Sequence, residues 1–300
     1  MPSLFQAWLL AARPRTLPAS VAPVALGCAL AFSQNCFHVG AACLALLVSF
    51  CLQLGVNLAN DYFDGMAGLD TDQRLGPVRA TAGGLIAPAS VKRGMIVCFA
   101  LSACLGLFLV FRAGWPVVVI GVLSVLAALA YSGGPYPLAS NGLGDVFSFL
   151  FYGPVAVCGT YFVQALHLPL LVLALSLPTG LLVAAILVVN NYRDIETDKN
   201  GGKRTLAVMI GPGASRAQFF SLITLSYLLL PVFWLGGVLG SCGVLLPLCS
   251  LPLAVVVCRG LQRETGKMLN VTLGQTALLA LLFSLLLAVG ILISGAHLFV

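Results

Sequence analysis

Residues 40–64 read GAACLALLVSFCLQLGVNLANDYFD. From Gly40 to Val56 there is no charged side chain, and then Asn57, Asn60, Asp61 and Asp64 arrive within two helical turns. A run of this length is a membrane span, which needs about 20 apolar residues. It lacks the alternation of a strand, and in lipid only helices or closed barrels satisfy their backbone groups. A carboxylate at a membrane helix centre costs about 2.5–3.5 kcal/mol, so acids closing such a run are candidates for function. The arrangement recurs at Asn190-Asn191-Tyr192-Arg193-Asp194-Ile195-Glu196-Thr197-Asp198, which closes another long apolar run.

Outward from these two stretches the chain stays oily. It is 60% hydrophobic and 8% charged, with a mean hydropathy of +1.06. That composition belongs to integral membrane proteins, since a soluble domain would expose far too much apolar surface. The expected fold is all-α and polytopic, with about nine transmembrane helices near 16–34, 40–60, 94–111, 115–132, 145–164, 168–190, 217–236, 241–258 and 272–295. Gly236, Gly237, Gly240 and Gly243 offer a tight hairpin inside the long stretch 217–258. Residues 1–300 read as a single membrane-embedded domain, with two long loops at about 65–93 and 194–216. The first span runs on into further spans and reads as a membrane helix, not a cleaved signal. Ten scattered cysteines, none in a C-x-x-C pair, read as small apolar filler.

The net charge of +6 is informative by position. With the N-terminus inside, fourteen of the fifteen Lys and Arg residues fall on the cytosolic side and only Arg112 falls outside, as the positive-inside rule expects. The expected location is therefore the plasma (inner) membrane, multi-pass, with both aspartate clusters facing the cytosol. Membrane topology accounts for the basic loops, so no nucleic-acid partner is expected. The three histidines lie at or near the outer span ends, which argues against a histidine base or a histidine–aspartate metal site.

On a helix Asn57, Asp61 and Asp64 stand at i, i+4 and i+7, and Asn190, Asp194 and Asp198 at i, i+4 and i+8, each set on one face. Two such faces across a cavity present only oxygen ligands, which suit Mg²⁺ held by one or two carboxylates plus substrate phosphates. Asn57, Asp61, Asp64, Asp194 and Asp198 are the candidate metal ligands. Arg74, Arg79, Lys199, Lys203 and Arg204 are the candidate phosphate ligands. The segment Asn200-Gly201-Gly202-Lys203-Arg204-Thr205 is not a P-loop, though its glycines let backbone N–H groups approach an anion. An isolated carboxylate such as Asp72 or Asp145 reads as a solvated interface residue. A third polar break, Tyr131-Ser132-Gly133-Gly134-Pro135-Tyr136-Pro137-Leu138, lies on the same face.

At this point the chain resembles the UbiA superfamily of intramembrane aromatic prenyltransferases. The resemblance rests on Asn60-Asp61-x-x-Asp64 with a later Asp70, and on Asp194-x-x-x-Asp198 followed by Gly-Gly-Lys-Arg-Thr-Leu. Asp70 lies two residues later than the usual pattern has it. Arg13-Pro14-Arg15-Thr16-Leu17-Pro18, Gly76-Pro77-x-Arg79, the Tyr131–Asp145 segment and Asn191-x-Arg193-Asp194-Ile195 make it most similar to the branch that prenylates 1,4-dihydroxy-2-naphthoate in menaquinone biosynthesis. The resemblance implies helices around a lipid-open cavity, with the two long loops as a cap. It implies Mg²⁺ as cofactor, a polyprenyl diphosphate with its tail in membrane lipid, and an aromatic acceptor that loses CO₂. Tyr131 is then the candidate for the reacting allylic carbon, and Arg13 and Arg15 for the acceptor carboxylate. Prenylation of 4-hydroxybenzoate, homogentisate or haem is the alternative within the superfamily. A cation-coupled transporter would carry its acids near mid-membrane in broken helices, whereas these lie at helix ends. A CDP-alcohol phosphotransferase would carry a single extended acidic motif, not two clusters.

Overall fold

The computed structural model describes residues 2–69, 75–237 and 242–294, and every regular element among them is helical. A capped helix, α1 (Leu4–Ala12), precedes the spans; Ser3 and Gln6 form its capping box. The spans follow as α2 (Pro18–Ser33), α3 (Val39–Met66), α4 (Pro88–Ala113) and α5 (Trp115–Ser132). Next come α6 (Gly144–Leu150) and α7 (Ala156–Ala165), joined through a π-helical turn at Phe151–Val155. Then come α8 (Leu170–Arg193), the short α9 (Ile195–Asn200) and α10 (Leu206–Leu235). A 3₁₀ stretch, Cys242–Ser250, leads into α11 (Leu251–Arg263), and α12 (Leu269–Ser294) closes the described chain. Eight helical segments among the described residues are long and apolar enough to cross a bilayer. The expected first span, α2, is apolar but has 16 residues, about 24 Å against a hydrocarbon core of about 30 Å. This is a multi-pass membrane protein.

The sequence spans map onto these helices with four differences. Helices α1 and α9 are not among the expected spans, because nine and six residues are too few to register as one. Helix α4 begins at Pro88 rather than near residue 94, since Pro at its first position suits a helix start. Helix α10 begins at Leu206, where Thr205 caps it, so part of the expected loop 194–216 is helical. Gly211, at φ 79°, kinks that helix before Pro212. The expected hairpin after residue 235 starts with Gly236 as the cap of α10 and Gly237 at positive φ; Gly240 lies outside the described residues.

Helix α8 lies at the centre. Its Leu175, Leu182, Ala185 and Val189 are fully buried, and it packs on α10, α12, α6, α7 and α2. Where α8 crosses the π-turn, Gly180 meets Gly153: a Cβ on Gly153 would stand 2.8 Å from the Gly180 Cα, so the crossing needs both glycines. Helix α5 sits at the rim, with Val118, Val122, Leu123 and Leu126 exposed, as a lipid-facing helix requires. Helices α1, α3 and α4 form a second core around Ala7, Leu58, Ala59, Val91 and Met95. The two cores flank a large cavity, and the C-terminal ends of α3 and α8 lie at one end of it.

Candidate active site

The cavity has a volume of about 1290 Å³. Its walls are mainly apolar, with Leu52, Val56, Phe99, Phe147, Phe151 and Ile186 among them. Its polar end collects residues from both sequence clusters: Asn60, Asp61 and Asp64 from α3, and Asn190, Arg193, Asp194 and Asp198 from α8 and α9. Arg79 and Lys203, from the two loops, join them there.

Asp64 is where the clusters meet. It is buried, and its Oδ2 accepts a hydrogen bond from Lys203 Nζ at 3.0 Å, across 139 positions of sequence. Arg79 Nη2 stands 3.5 Å from the same oxygen. One carboxylate is thus held by a cation from each long loop. The backbone brings Lys203 there: its N–H donates to the Asp198 carbonyl at 2.8 Å, folding the turn after α9 back on itself.

Asp194 caps the C-terminus of α8 and is buried. The Arg193 guanidinium holds it in a fork, with Nε on Oδ1 at 2.7 Å and Nη2 on Oδ2. The same guanidinium donates to Asn190 Oδ1 at 2.9 Å and to Asn270 Oδ1 at 2.7 Å. The Asn270 amide in turn donates to the carbonyls of Leu75 and Lys267. Arg193 therefore ties the second cluster to Asn270, the second residue of α12, and through it to the first long loop.

Asp61 is fully engaged with that loop: its Oδ2 accepts the N–H of Ala80 at 2.9 Å and its Oδ1 that of Thr81 at 2.7 Å. Asn57 lines the cavity, but its amide donates to the Ala12 carbonyl at 2.8 Å and to Thr16 Oγ1 at 3.1 Å, while its Oδ1 accepts from Gln53. Asn60 Oδ1 accepts from Ser132 Oγ at 2.7 Å. Gln53 links further to Tyr152, so a polar strip crosses an otherwise apolar wall.

Tyr131 and Arg13 line the cavity. The Tyr131 hydroxyl passes close over Gly144, 3.2 Å from where a Cβ would stand. Lys199 and Arg204 are exposed and do not line it, although the Arg204 N–H ties the second loop to the Ser140 carbonyl at 3.0 Å. Arg74, Asp70, Asp72 and the side chain of Arg15 lie outside the described residues. Asp145 departs from its reading as a solvated residue. It is buried, accepting from Gln218 at 3.0 Å and Asn191 at 3.3 Å, and so joins α6, α8 and α10.

Sequence reasoning missed Arg193, Asn270 and Gln53. Arg193 lay inside a quoted motif, and Gln53 was visible as an amide within an apolar run, a signal of its own. Asn270 gave none. As a metal site, the polar end offers oxygen donors only. Among the described residues no three His, Cys, Asp or Glu side chains stand close enough to enclose an ion by themselves. That fits a hard divalent cation that takes part of its shell from substrate phosphates and water.

The model of the UbiA prenyltransferase family matches residues 20–267. The chain belongs to the UbiA prenyltransferase family. As a UbiA-family protein it is a prenyltransferase, and the names of its relatives agree with that. It is 40% identical to a 1,4-dihydroxy-2-naphthoate octaprenyltransferase of Mycobacterium tuberculosis, over 74% of this chain and 76% of that one. It is 38% identical to the Escherichia coli protein of the same name, over 96% of each. Among solved structures it is similar to a UbiA homologue from Archaeoglobus fulgidus bound to GPP and Mg²⁺. That match has a TM-score of 0.67 at 17% identity and covers 94% of this chain and 99% of that one. The digeranylgeranylglyceryl phosphate synthase structure matches at a TM-score of 0.63 and 18% identity, over 97% and 99%. The last two carry the fold.

Proposed function

We propose that this UbiA-family protein transfers a polyprenyl group from polyprenyl diphosphate to 1,4-dihydroxy-2-naphthoate, releasing diphosphate and CO₂ and giving demethylmenaquinol. The observation that carries the reading is Asp64, gripped by Arg79 and Lys203 at the polar end of a long apolar cavity. An allylic diphosphate needs both halves of that arrangement, a charged end for the head and an oily wall for the tail. The names of the relatives point to the naphthoate acceptor.

Asp64, Asp194 and Asp198 would hold Mg²⁺ through their carboxylate oxygens, with Asn57 lining the cavity beside them. When bound, Mg²⁺ offsets the charge that grows on the diphosphate as the allylic C–O bond breaks. Arg79 and Lys203 exchange part of their hold on Asp64 for the diphosphate oxygens. The apolar walls keep water from the allylic cation, and the Tyr131 ring faces it. The ring carbon bearing the carboxylate attacks that cation. The carboxylate then leaves as CO₂, and its bonding pair restores the aromatic ring. Arg13 and Arg15 orient the acceptor carboxylate. The site faces the cytosol in the plasma membrane, the two long loops cap it, and the prenyl tail extends toward membrane lipid.

The test is to incubate purified protein with Mg²⁺, a polyprenyl diphosphate and a panel of aromatic acids. A product from the naphthoate acid alone, with its labelled carboxyl carbon recovered as CO₂, is expected. A product from 4-hydroxybenzoate or homogentisate that keeps its full mass would move the protein to another acceptor.

A further inference from the structure

We propose that Asp61 is a positioning residue that seats the first long loop so that Arg79 reaches the diphosphate site, and that it is not a ligand of Mg²⁺. The inference rests on the diphosphate reading above and refines it.

Four observations carry it. Both Asp61 oxygens are occupied by consecutive backbone donors, Ala80 at 2.9 Å and Thr81 at 2.7 Å, and the side chain is 1% exposed. Those two residues directly follow Arg79, so fixing their N–H groups fixes the point from which the Arg79 side chain departs. The loop closes on itself there. Arg79 O accepts from Gly83 N at 2.9 Å, and Ala80 O accepts from Leu85 N and Ile86 N. One turn beyond Asp61, Gly65 lets the loop lie directly on α3: a Cβ on Gly65 would stand 2.8 Å from Thr81 Cγ2 and 3.0 Å from its Cβ. Asp61 and Gly65 thus form one seat, charged at one end and bare at the other, for a segment whose Arg79 reaches Asp64. A buried carboxylate that accepts two backbone N–H groups is strongly held. Turning it toward a metal would leave the buried Ala80 N–H and the part-buried Thr81 N–H without partners, and these main-chain groups cannot follow the carboxylate as the Arg193 side chain can follow Asp194.

The experiment uses the full-length protein in lipid nanodiscs and four variants: Asp61→Asn, Gly65→Ala, Arg79→Ala and Asp64→Asn. The Asn amide would set N–H against N–H at one of the two contacts. Gly65→Ala lifts the loop while leaving the Asp61 carboxylate intact. Three readouts are taken: trypsin cleavage after Arg79, affinity for inorganic pyrophosphate, and Mn²⁺ affinity by electron paramagnetic resonance at saturating pyrophosphate. We expect Asp61→Asn and Gly65→Ala alike to speed cleavage after Arg79. Each should weaken pyrophosphate about tenfold, the scale of one lost charge-assisted hydrogen bond, and leave Mn²⁺ affinity within about twofold. Arg79→Ala should weaken pyrophosphate similarly, and adding Asp61→Asn to it should cost little more. Asp64→Asn alone should weaken Mn²⁺ by about tenfold or more. The proposal is overturned if Asp61→Asn weakens Mn²⁺ as Asp64→Asn does, or if cleavage after Arg79 stays at the wild-type rate in both seat variants. Neither the protease nor the resonance readout needs an aromatic acceptor. A failed acceptor panel would therefore overturn the reaction and leave this seat standing, and a failed seat would leave the reaction.

Discussion

At the scale of single residues, Asp194 and Asp64 do different work although the sequence gives them the same type of motif. Asp194 is locked to Arg193, a buried cation with two further amide partners. Asp194→Asn should therefore abolish Mg²⁺-dependent transfer and also destabilise the protein. Breaking one side of a buried ion pair costs about 3–5 kcal/mol, to be read as a lowered midpoint of thermal unfolding in detergent. An unchanged midpoint with lost activity would place Asp194 on the ligand alone. Among the basic residues, Lys203→Ala should raise KM for the prenyl diphosphate about tenfold or more, because it removes a charge-assisted bond at a half-buried site. Lys199→Ala and Arg204→Ala should leave KM within about twofold, since both side chains are exposed. The aspartate clusters were legible because acids are costly in an oily chain. The direction each side chain takes was not. Helical spacing put Asn57, Asp61 and Asp64 on one face, yet Asn57 bonds back to Ala12 and Thr16 while Asp61 bonds forward to the loop. Those partners lie far away in sequence, and no local spacing encodes them.

At the scale of elements, hydropathy found the spans because each needs some 20 apolar residues, and it was blind to helices too short or too polar to count. Helices α1 and α9 escaped for that reason, as did the first turns of α10. The signals for them were capping residues, Ser3 with Gln6 and then Thr205, which decide where helices start and not whether a segment lies in lipid. Close crossings were half legible: Gly180 stood out as a small residue in a span, but its partner Gly153 appears only once the π-turn brings it to α8. That pair carries its own prediction. Gly180→Ala places a methyl group about 2.8 Å from the Phe149 carbonyl oxygen and 2.9 Å from the Gly153 Cα. Both neighbours are backbone and have little room to yield. Overpacking of this kind costs about 1–3 kcal/mol, so the variant should unfold at lower temperature or denaturant, while Gly213→Ala, with nothing within 4 Å of its added methyl, should not.

At the scale of the whole molecule, the charged end and the oily length of the cavity are separable parts, and their separation can be measured. The aspartates and loop cations sit where α3 and α8 end. Gly159, on α7, lines the same cavity some 15 residues past Gly144, which is roughly 20 Å along the span. A Cβ there would meet nothing within 4 Å, so the wall is open at that depth. A diphosphate with one isoprene unit is too short to reach from Asp64 to Gly159, whereas a polyprenyl chain is long enough to pass it. Gly159→Phe should therefore lower kcat/KM for a long polyprenyl diphosphate and spare dimethylallyl diphosphate. Each CH₂ denied its place against the wall costs about 0.8 kcal/mol, so two displaced groups already amount to about tenfold. Mg²⁺ dependence should stay the same with either substrate, because the change is far from the oxygen donors. Equal losses for the short and long substrates would mean that the tail does not run along α7, and that the cavity's oily length serves another purpose than holding it.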